Sequence, residues 1–177
     1  MIVLDTNIVS ELLRPAPAPQ VEAWLAAQDG ATVYFTAVGE AELRHGVAIL
    51  PAGRRRSALA EAIEAMLEED FRDRILPFDR AAARAYTAIA AKRRAAGRPI
   101  GQFDCQIAAI ARAHEAAVAT RNTGDYQGCG IDVIDPWQEA GGTEQFFKAR
   151  QSRADLKKFD AIMKRKDGQP PRPGDEV

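Results

Sequence analysis

The sequence predicts an α/β sandwich built on a mostly parallel central sheet. Short apolar or β-branched runs alternate with amphipathic helical stretches over residues 1–137, the pattern of strands and helices interleaved in one sheet. Alanine is abundant and aromatic residues make up only 7%, which favours helices between the strands. The chain has 177 residues, a length that suits one domain with an appendage and can bury a core without disulfides.

Ile2–Leu4 is a continuous apolar run, and Asp5-Thr6-Asn7 reads as its end. Ile8–Leu13 has helical character and stops at Arg14-Pro15. Pro15, Pro17 and Pro19 make a stiff, extended loop. Val21, Trp24 and Leu25 recur at helical spacing, and Asp29-Gly30 is a turn. Thr32–Thr36 is β-branched and aromatic, a second strand. Val38–Leu50 returns to helical periodicity and ends at Pro51-Ala52-Gly53. Arg54–Glu69 is an amphipathic helix with Leu59, Ile63, Met66 and Leu67 on one face. Arg74–Phe78 is a short strand, and Asp79 is placed to cap a helix over Arg80–Ala96. Gly97-Arg98-Pro99 interrupts the chain. Phe103–Ala113 is a helix, Ala117–Thr120 a strand, the next residues a loop, and Ile131–Ile134 a last strand running into Asp135-Pro136-Trp137.

Beyond Trp137 the texture changes. Residues 138–143 contain Gly141-Gly142 and read as a linker. Glu144–Lys166 holds one helical pattern with Phe146, Phe147, Leu156, Phe159, Ile162 and Met163 apolar. The Pro- and Gly-rich end from Asp167 cannot be regular structure. The expected layout is a domain over 1–137, a linker over 138–143 and a helical and extended arm over 144–177. Nine Lys/Arg against seven Asp/Glu make residues 138–177 locally +2, while the whole chain carries −1.

That net charge draws the chain to neither nucleic acid nor membrane as a whole, so any such contact rests on local patches or a metal. No apolar run is long enough to span a bilayer, and no basic region precedes an apolar one at the N-terminus. Cys105 and Cys129 form no C-x-x-C and are read as reduced thiols. A cytoplasmic protein is expected.

The chemistry-bearing residues sit where core elements meet. Asp5 follows the first apolar strand. Its plainer reading is an N-cap for the next helix. Glu42, in "TAVGEAELRHGV", is flanked by apolar neighbours, although a solvent-facing Glu is the ordinary case. Asp104 lies in the first turn of an apolar helix, where an Asp also suits the helix dipole. "ATRNTGDY" adds Asn122 and Asp125 after another strand. Each plain reading is easy alone. All of them together are harder, because converging carboxylates repel and desolvate badly unless a cation joins them. Oxygen-only donors suit Mg²⁺ or Mn²⁺, and His45 and His114 lack zinc spacing. Such a site can lower the pKa of a bound water and stabilise displacement at phosphorus, which is nuclease chemistry.

"MIVLDTNIVSELLRP", "TAVGEAELRHGV", "GQFDCQIAAIARAHEAAVATRNTGDY" and "GIDVIDPW", in this order, resemble the motifs of PIN-domain ribonucleases and look most like the VapC/FitB toxins of bacterial toxin–antitoxin operons. The resemblance implies a PIN-like α/β/α sandwich over residues 1–137. It makes Asp5, Glu42 and Asp104 the acidic metal ligands. The family's fourth position falls on Asn122, which brings no charge and would weaken a second metal. Asp125 would partly substitute. Thr6 and Asn7 would orient Asp5 or a water, and Arg121 is the best single candidate for substrate contact. The implied activity is Mg²⁺- or Mn²⁺-dependent cleavage of tRNA or another structured RNA by a homodimer.

Arg54-Arg55-Arg56 and Lys92-Arg93-Arg94 with Arg98 could track phosphates, against the simpler reading of solvated helix faces. "SRADLKKFDAIMKRKDGQPPRPGDEV" resembles the C-terminal, toxin-neutralising end of a VapB-type antitoxin. Its apolar residues would dock on the domain while Arg153, Arg165 or Arg172 approaches the acids. Two other readings stand beside this one. One is a non-catalytic toxin–antitoxin interaction module with a permanently occupied pocket. The other is a phosphatase with an aspartyl nucleophile, which would want an acid where Asn7 stands. A nucleotide-binding fold is disfavoured, since no Gly-rich phosphate loop follows a strand.

Overall fold

The computed structural model describes residues 1–138. Five strands form one all-parallel sheet: β1 (Ile2–Leu4), β2 (Val33–Thr36), β3 (Ile75–Leu76), β4 (Ala117–Ala119) and β5 (Val133–Ile134). Seven helices connect them: α1 (Thr6–Leu12), α2 (Pro19–Ala26), α3 (Ala37–Ala48), α4 (Arg54–Glu69), α5 (Arg80–Ala95), α6 (Gln102–Ala113) and α7 (Thr123–Tyr126). The spatial order is β3-β2-β1-β4-β5. The chain builds outward from β1 to β3, returns, and builds outward again on the other side. The reversal lies between β1 and β4, and at such a switch point a crevice opens beyond the strands' carboxyl ends.

Residue alternation along the strands sorts the core into two layers. Val3 and Val118 face one side, with Ile89 of α5, Ile107 and Ile110 of α6, and Tyr126. Leu4 and Ala119 face the other, with Phe35 of β2 and with Ile8, Val9, Trp24, Leu43, Ile63 and Leu67 from α1 to α4. The rings of Phe35 and Phe71 meet there with centroids 5.5 Å apart. The result is the expected three-layer sandwich.

The caps follow the sequence closely. The Asp79 carboxylate accepts from the Ala82 N–H at 2.9 Å and starts α5. Thr36 Oγ1 accepts from the Gly39 N–H at 3.0 Å and starts α3. Pro19 opens α2, where its missing N–H costs nothing. At the end of α5, Gly97 takes a left-handed φ of 68°. The Gly97 N–H then reaches the Arg94 carbonyl, and the Arg98 N–H reaches the Arg93 carbonyl.

Several differences have local causes. The first helix begins at Thr6 rather than Ile8, because the Asp5 carboxylate caps it. Residues 30–32 form a single 3₁₀ turn that shortens the front of β2. The strand expected over Arg74–Phe78 pairs only at Ile75 and Leu76. The loop after β4 contains α7. Arg93 is buried, and its guanidinium donates to the Gln127 carbonyl. It therefore ties α5 to the chain after α7 and presents nothing to phosphate. Arg56 is half-buried and reaches the Leu50 carbonyl at 3.5 Å. Arg54, Arg55, Lys92, Arg94 and Arg98 stay exposed.

Candidate active site

Asp5 stands one residue past β1, and Thr120 one residue past β4. Because the two strands pair in parallel, their side chains meet at the switch point. Asp5 is 5% exposed and Thr120 fully buried. Asp5 Oδ1 accepts from the Thr6 N–H at 2.7 Å. Its Oδ2 accepts from Asn7 Nδ2 at 2.6 Å and from the Thr120 hydroxyl at 2.6 Å. Asp5 is thus both a helix cap and the centre of a polar network. The Thr120 oxygen also accepts from Asn7 Nδ2 at 2.9 Å and from the Asn122 N–H at 3.0 Å. Asn7 Oδ1 accepts from the Arg121 N–H at 3.3 Å. One hydroxyl and one amide therefore join β1, α1 and the chain after β4.

Burial pushes the Asp5 carboxyl above its ordinary pKa, and the nearby Glu42 charge adds to this, against the hydrogen bonds from Thr120 and the Thr6 N–H. Glu42, on α3, is half-buried, and its Oε2 accepts from the Thr6 hydroxyl at 2.6 Å. Thr6 thus contacts both acids, through its N–H on Asp5 and its hydroxyl on Glu42. Gly39 makes this possible. A Cβ there would lie 2.6 Å and 2.7 Å from Phe35 ring atoms and 3.1 Å from Thr6 Oγ1.

Asp104 rises from the first turn of α6, and its carboxylate accepts no hydrogen bond from the described residues. Its pKa is raised by burial first, then by the charges of Asp5 and Asp125. Its Oδ2 occupies the space beside Gly101, where a Cβ would lie 2.8 Å away. Asp125 is exposed on α7, near enough for its charge to act on Asp104. Asn122 is exposed, and its backbone rather than its side chain is tied into the network. The Arg121 guanidinium lies over the Trp137 ring, 5.3 Å from its centroid, a cation–π contact at the rim. Arg153, Arg165 and Arg172 lie outside the described residues.

Four contributors escape the sequence pattern. Thr120 reads as the last residue of a strand, yet its hydroxyl is central. Its position one residue past a strand, like that of Asp5, was the available signal. Tyr126 is fully buried, and its hydroxyl lies close to Asp5 but short of a formed hydrogen bond. Gly39 and Gly101 admit their neighbours by lacking a side chain, which leaves no chemical mark. Farther along α1, buried Glu11 accepts from Arg14 at 2.9 Å and from the Ala18 N–H at 2.9 Å, closing the proline loop. Burial opposes its charge, but these donors prevail and hold its pKa below the ordinary value.

Among the described residues, no three His, Cys, Asp or Glu side chains stand close enough to form a closed metal cage. The donor set suits a less enclosed ion. Mg²⁺ takes one or two carboxylates and keeps several waters. Asp5 and Asp104, both strained towards neutrality by burial and by nearby like charge, offer what a cation would relieve.

A parallel α/β fold whose switch point carries buried and half-buried acids around a hydroxyl–amide network defines a class: an acidic-site domain suited to polyanionic chemistry. The PIN domain model matches residues 2–127, and the chain belongs to this family, on its VapC/FitB branch. The chain is 44% identical over 140 residues to the VapC ribonuclease Y4jK of Sinorhizobium fredii, which covers 79% of this chain and all of that protein. It is 42% identical over 139 residues to the toxin FitB of Neisseria gonorrhoeae, covering 78% of this chain and all of the toxin. The crystal structure of FitAcB from Neisseria gonorrhoeae superposes with a TM-score of 0.74 at 42% identity, covering 78% of this chain and 100% of that one. No helix among the described residues is long and apolar enough to cross a membrane.

Proposed function

We propose that the chain is a Mg²⁺- or Mn²⁺-dependent endoribonuclease toxin of a toxin–antitoxin system, acting on structured RNA such as tRNA in the cytoplasm. One observation carries the reading. Asp5 and Asp104 converge at the switch point of a PIN domain with both carboxyls raised by burial and by neighbouring charge. Asp5, Glu42 and Asp104 would hold the cation, and Asp125 would add charge from the rim. The ion would supply an activated water and charge neutralisation at a phosphodiester. The chain's own residues do the rest. Thr6, Asn7 and Thr120 fix the Asp5 carboxylate, Thr6 also fixes Glu42, and Arg121 offers a cation to the backbone of the RNA. Asn122 supplies no charge, which favours a single tightly held ion over a pair. A homodimer and a VapB-type antitoxin partner complete the reading; the toxin relative supports the antitoxin partner.

Residues 138–143 are the linker and 144–177 an antitoxin-like arm in this reading. Arg153, Arg165 or Arg172 would enter the acidic site. A short tether sets an effective concentration on the order of mM, so a weakly binding arm would suffice. The test is RNA cleavage with Mg²⁺ or Mn²⁺ by the full chain and by residues 1–137, with Asp5→Ala in the shorter form as control. The expected result is cleavage by the shorter form alone, abolished by Asp5→Ala. Equal cleavage by both forms removes the inhibitory role of the arm. A folded shorter form that binds RNA, never cuts it, and takes up no Mn²⁺ favours the non-catalytic interaction module instead.

A further inference from the structure

Charge is divided very unevenly over the domain. Residues 80–114, which hold α5 and α6, contain seven Lys/Arg and one acid, and that acid is Asp104. The rest of residues 1–138 contain eight Lys/Arg and seventeen Asp/Glu. A basic pair of helices, packed side by side, is thus set in an acidic domain, and the net charge of −1 for the whole chain conceals it.

Of the seven cations only Arg93 is buried. On α5, Arg80, Arg84, Thr87, Ala91 and Arg94 recur at helical steps and form one exposed stripe, opposite the buried Ala82, Ile89 and Arg93. Thr87 and Ala91 are small and leave the stripe open. No cation of residues 80–114 makes an ion pair with a described residue. The stripe does nothing for the fold. Arg80 and Arg84 stand in the opening turns of α5, where positive charge opposes the helix dipole, and one turn apart they repel each other. α4 also opens on arginines, but Glu61, Glu64, Glu68 and Glu69 on the same helix balance them.

The stripe leads to the acids. Beyond the Gly97 turn, Arg98 Nη2 donates to Gln127 Oε1 at 3.4 Å, and Gln127 directly follows α7, which carries Asp125. The chain then runs from Arg98 into the first turn of α6, where Asp104 stands. A row of unpaired cations that ends at a cluster of acids suits a polyanion that must be held although the acids repel it.

We propose that the solvent face of α5, with Arg80, Arg84, Arg94 and Arg98, is the track for the phosphates of an RNA whose chain passes on to the acidic site. The inference rests on the ribonuclease reading above and names the surface that holds its substrate. Guanidinium groups suit the role because they stay charged and take phosphate oxygens two at a time. Their contacts are to the backbone, so they set affinity and register and carry no sequence information.

The experiment uses the full chain, since the arm as proposed enters the acidic site and leaves α5 open. The probe is a fluorescein-labelled RNA hairpin, with binding followed by anisotropy in EDTA over a series of NaCl concentrations. Arg84→Gln with Arg94→Gln is compared with the parent and with Arg54→Gln plus Arg55→Gln, which removes the same exposed charge from α4 in the opposite layer. The expected result for the α5 variant is binding weakened roughly tenfold or more at about 0.1 M salt, with the slope of log K against log[salt] shallower by about 1.5. The α4 variant should match the parent. All four arginines are exposed, so folding is retained, and Tm checks it. An α5 variant that keeps the parent's slope overturns the track and leaves the ribonuclease reading intact. Equal losses in both variants also overturn it, since binding would then follow net charge alone. A changed sedimentation coefficient with an unchanged slope assigns the face to contact between copies of the chain instead. A parent chain that binds no RNA removes this inference together with the reading beneath it.

Discussion

Replacing Thr120 by valine keeps the shape of the side chain and deletes the oxygen that joins three segments. That oxygen donates to Asp5 Oδ2 at 2.6 Å and accepts from Asn7 at 2.9 Å and from the Asn122 N–H at 3.0 Å. The bond to the buried carboxylate is charge-assisted, a type worth about 1.5–3 kcal/mol. The other two losses are small. Asn7 keeps its bond to Asp5, and the exposed Asn122 segment can turn to water. Thr120→Val is therefore expected to cost about 2–3 kcal/mol at pH 8 without divalent ions, a fall of roughly 4–12 °C in Tm for a chain of this size. Urea denaturation and calorimetry measure it, run as a double-mutant cycle with Asp5→Asn. In the Asp5→Asn background the contact becomes a neutral hydrogen bond, so the cost should fall to about 1 kcal/mol. A cost below about 0.5 kcal/mol, or the same cost in both backgrounds, would refute the argument that Thr120 acts through the Asp5 charge.

Two further outcomes follow from the same network. Gly39→Ala places a methyl within 2.6–2.7 Å of a Phe35 ring already packed on Phe71, and is expected to cost about 1–3 kcal/mol, read by urea denaturation; an unchanged midpoint would show that the ring yields freely. Asp104 has a folded pKa raised above its ordinary 3.8, so the folded chain holds that proton to higher pH, and ionisation costs stability as pH climbs from about 3.8 through the folded value. Asp104→Asn should then raise the ion-free Tm by roughly 2–4 °C at pH 8 and leave it unchanged at pH 3.5; the group is half-exposed, so the gain is modest, and a lower Tm at pH 8 would contradict it.

The sheet and its long helices could be read from residue pattern because their signal is periodic. Ile89 and Arg93 show the limit of that reading. They are four apart on α5 and share a face, so the burial of Ile89 carried Arg93 inward with it. A run of basic residues concealed that fact, because charge suggested solvent. Asp5 was visible through the abrupt end of an apolar strand. α7 was not, since four residues cannot display a helical period, and its Tyr126 was passed over inside a polar loop. The parts of the site that escaped detection are those whose role is spatial: a hydroxyl at a strand end, a ring with a spare donor, and two missing side chains.

The all-parallel sheet has a practical corollary for anything joined to this fold. Every strand ends on the same edge, the one carrying Asp5, Thr36 and Thr120. The chain beyond β5 therefore leaves beside the acids, with Trp137 under Arg121 at the point of departure, whereas Met1 begins at the opposite edge. The two termini are unequal handles. An affinity tag or reporter placed before Met1 is remote from the chemistry, while the same tag placed after Trp137 is delivered to its doorway.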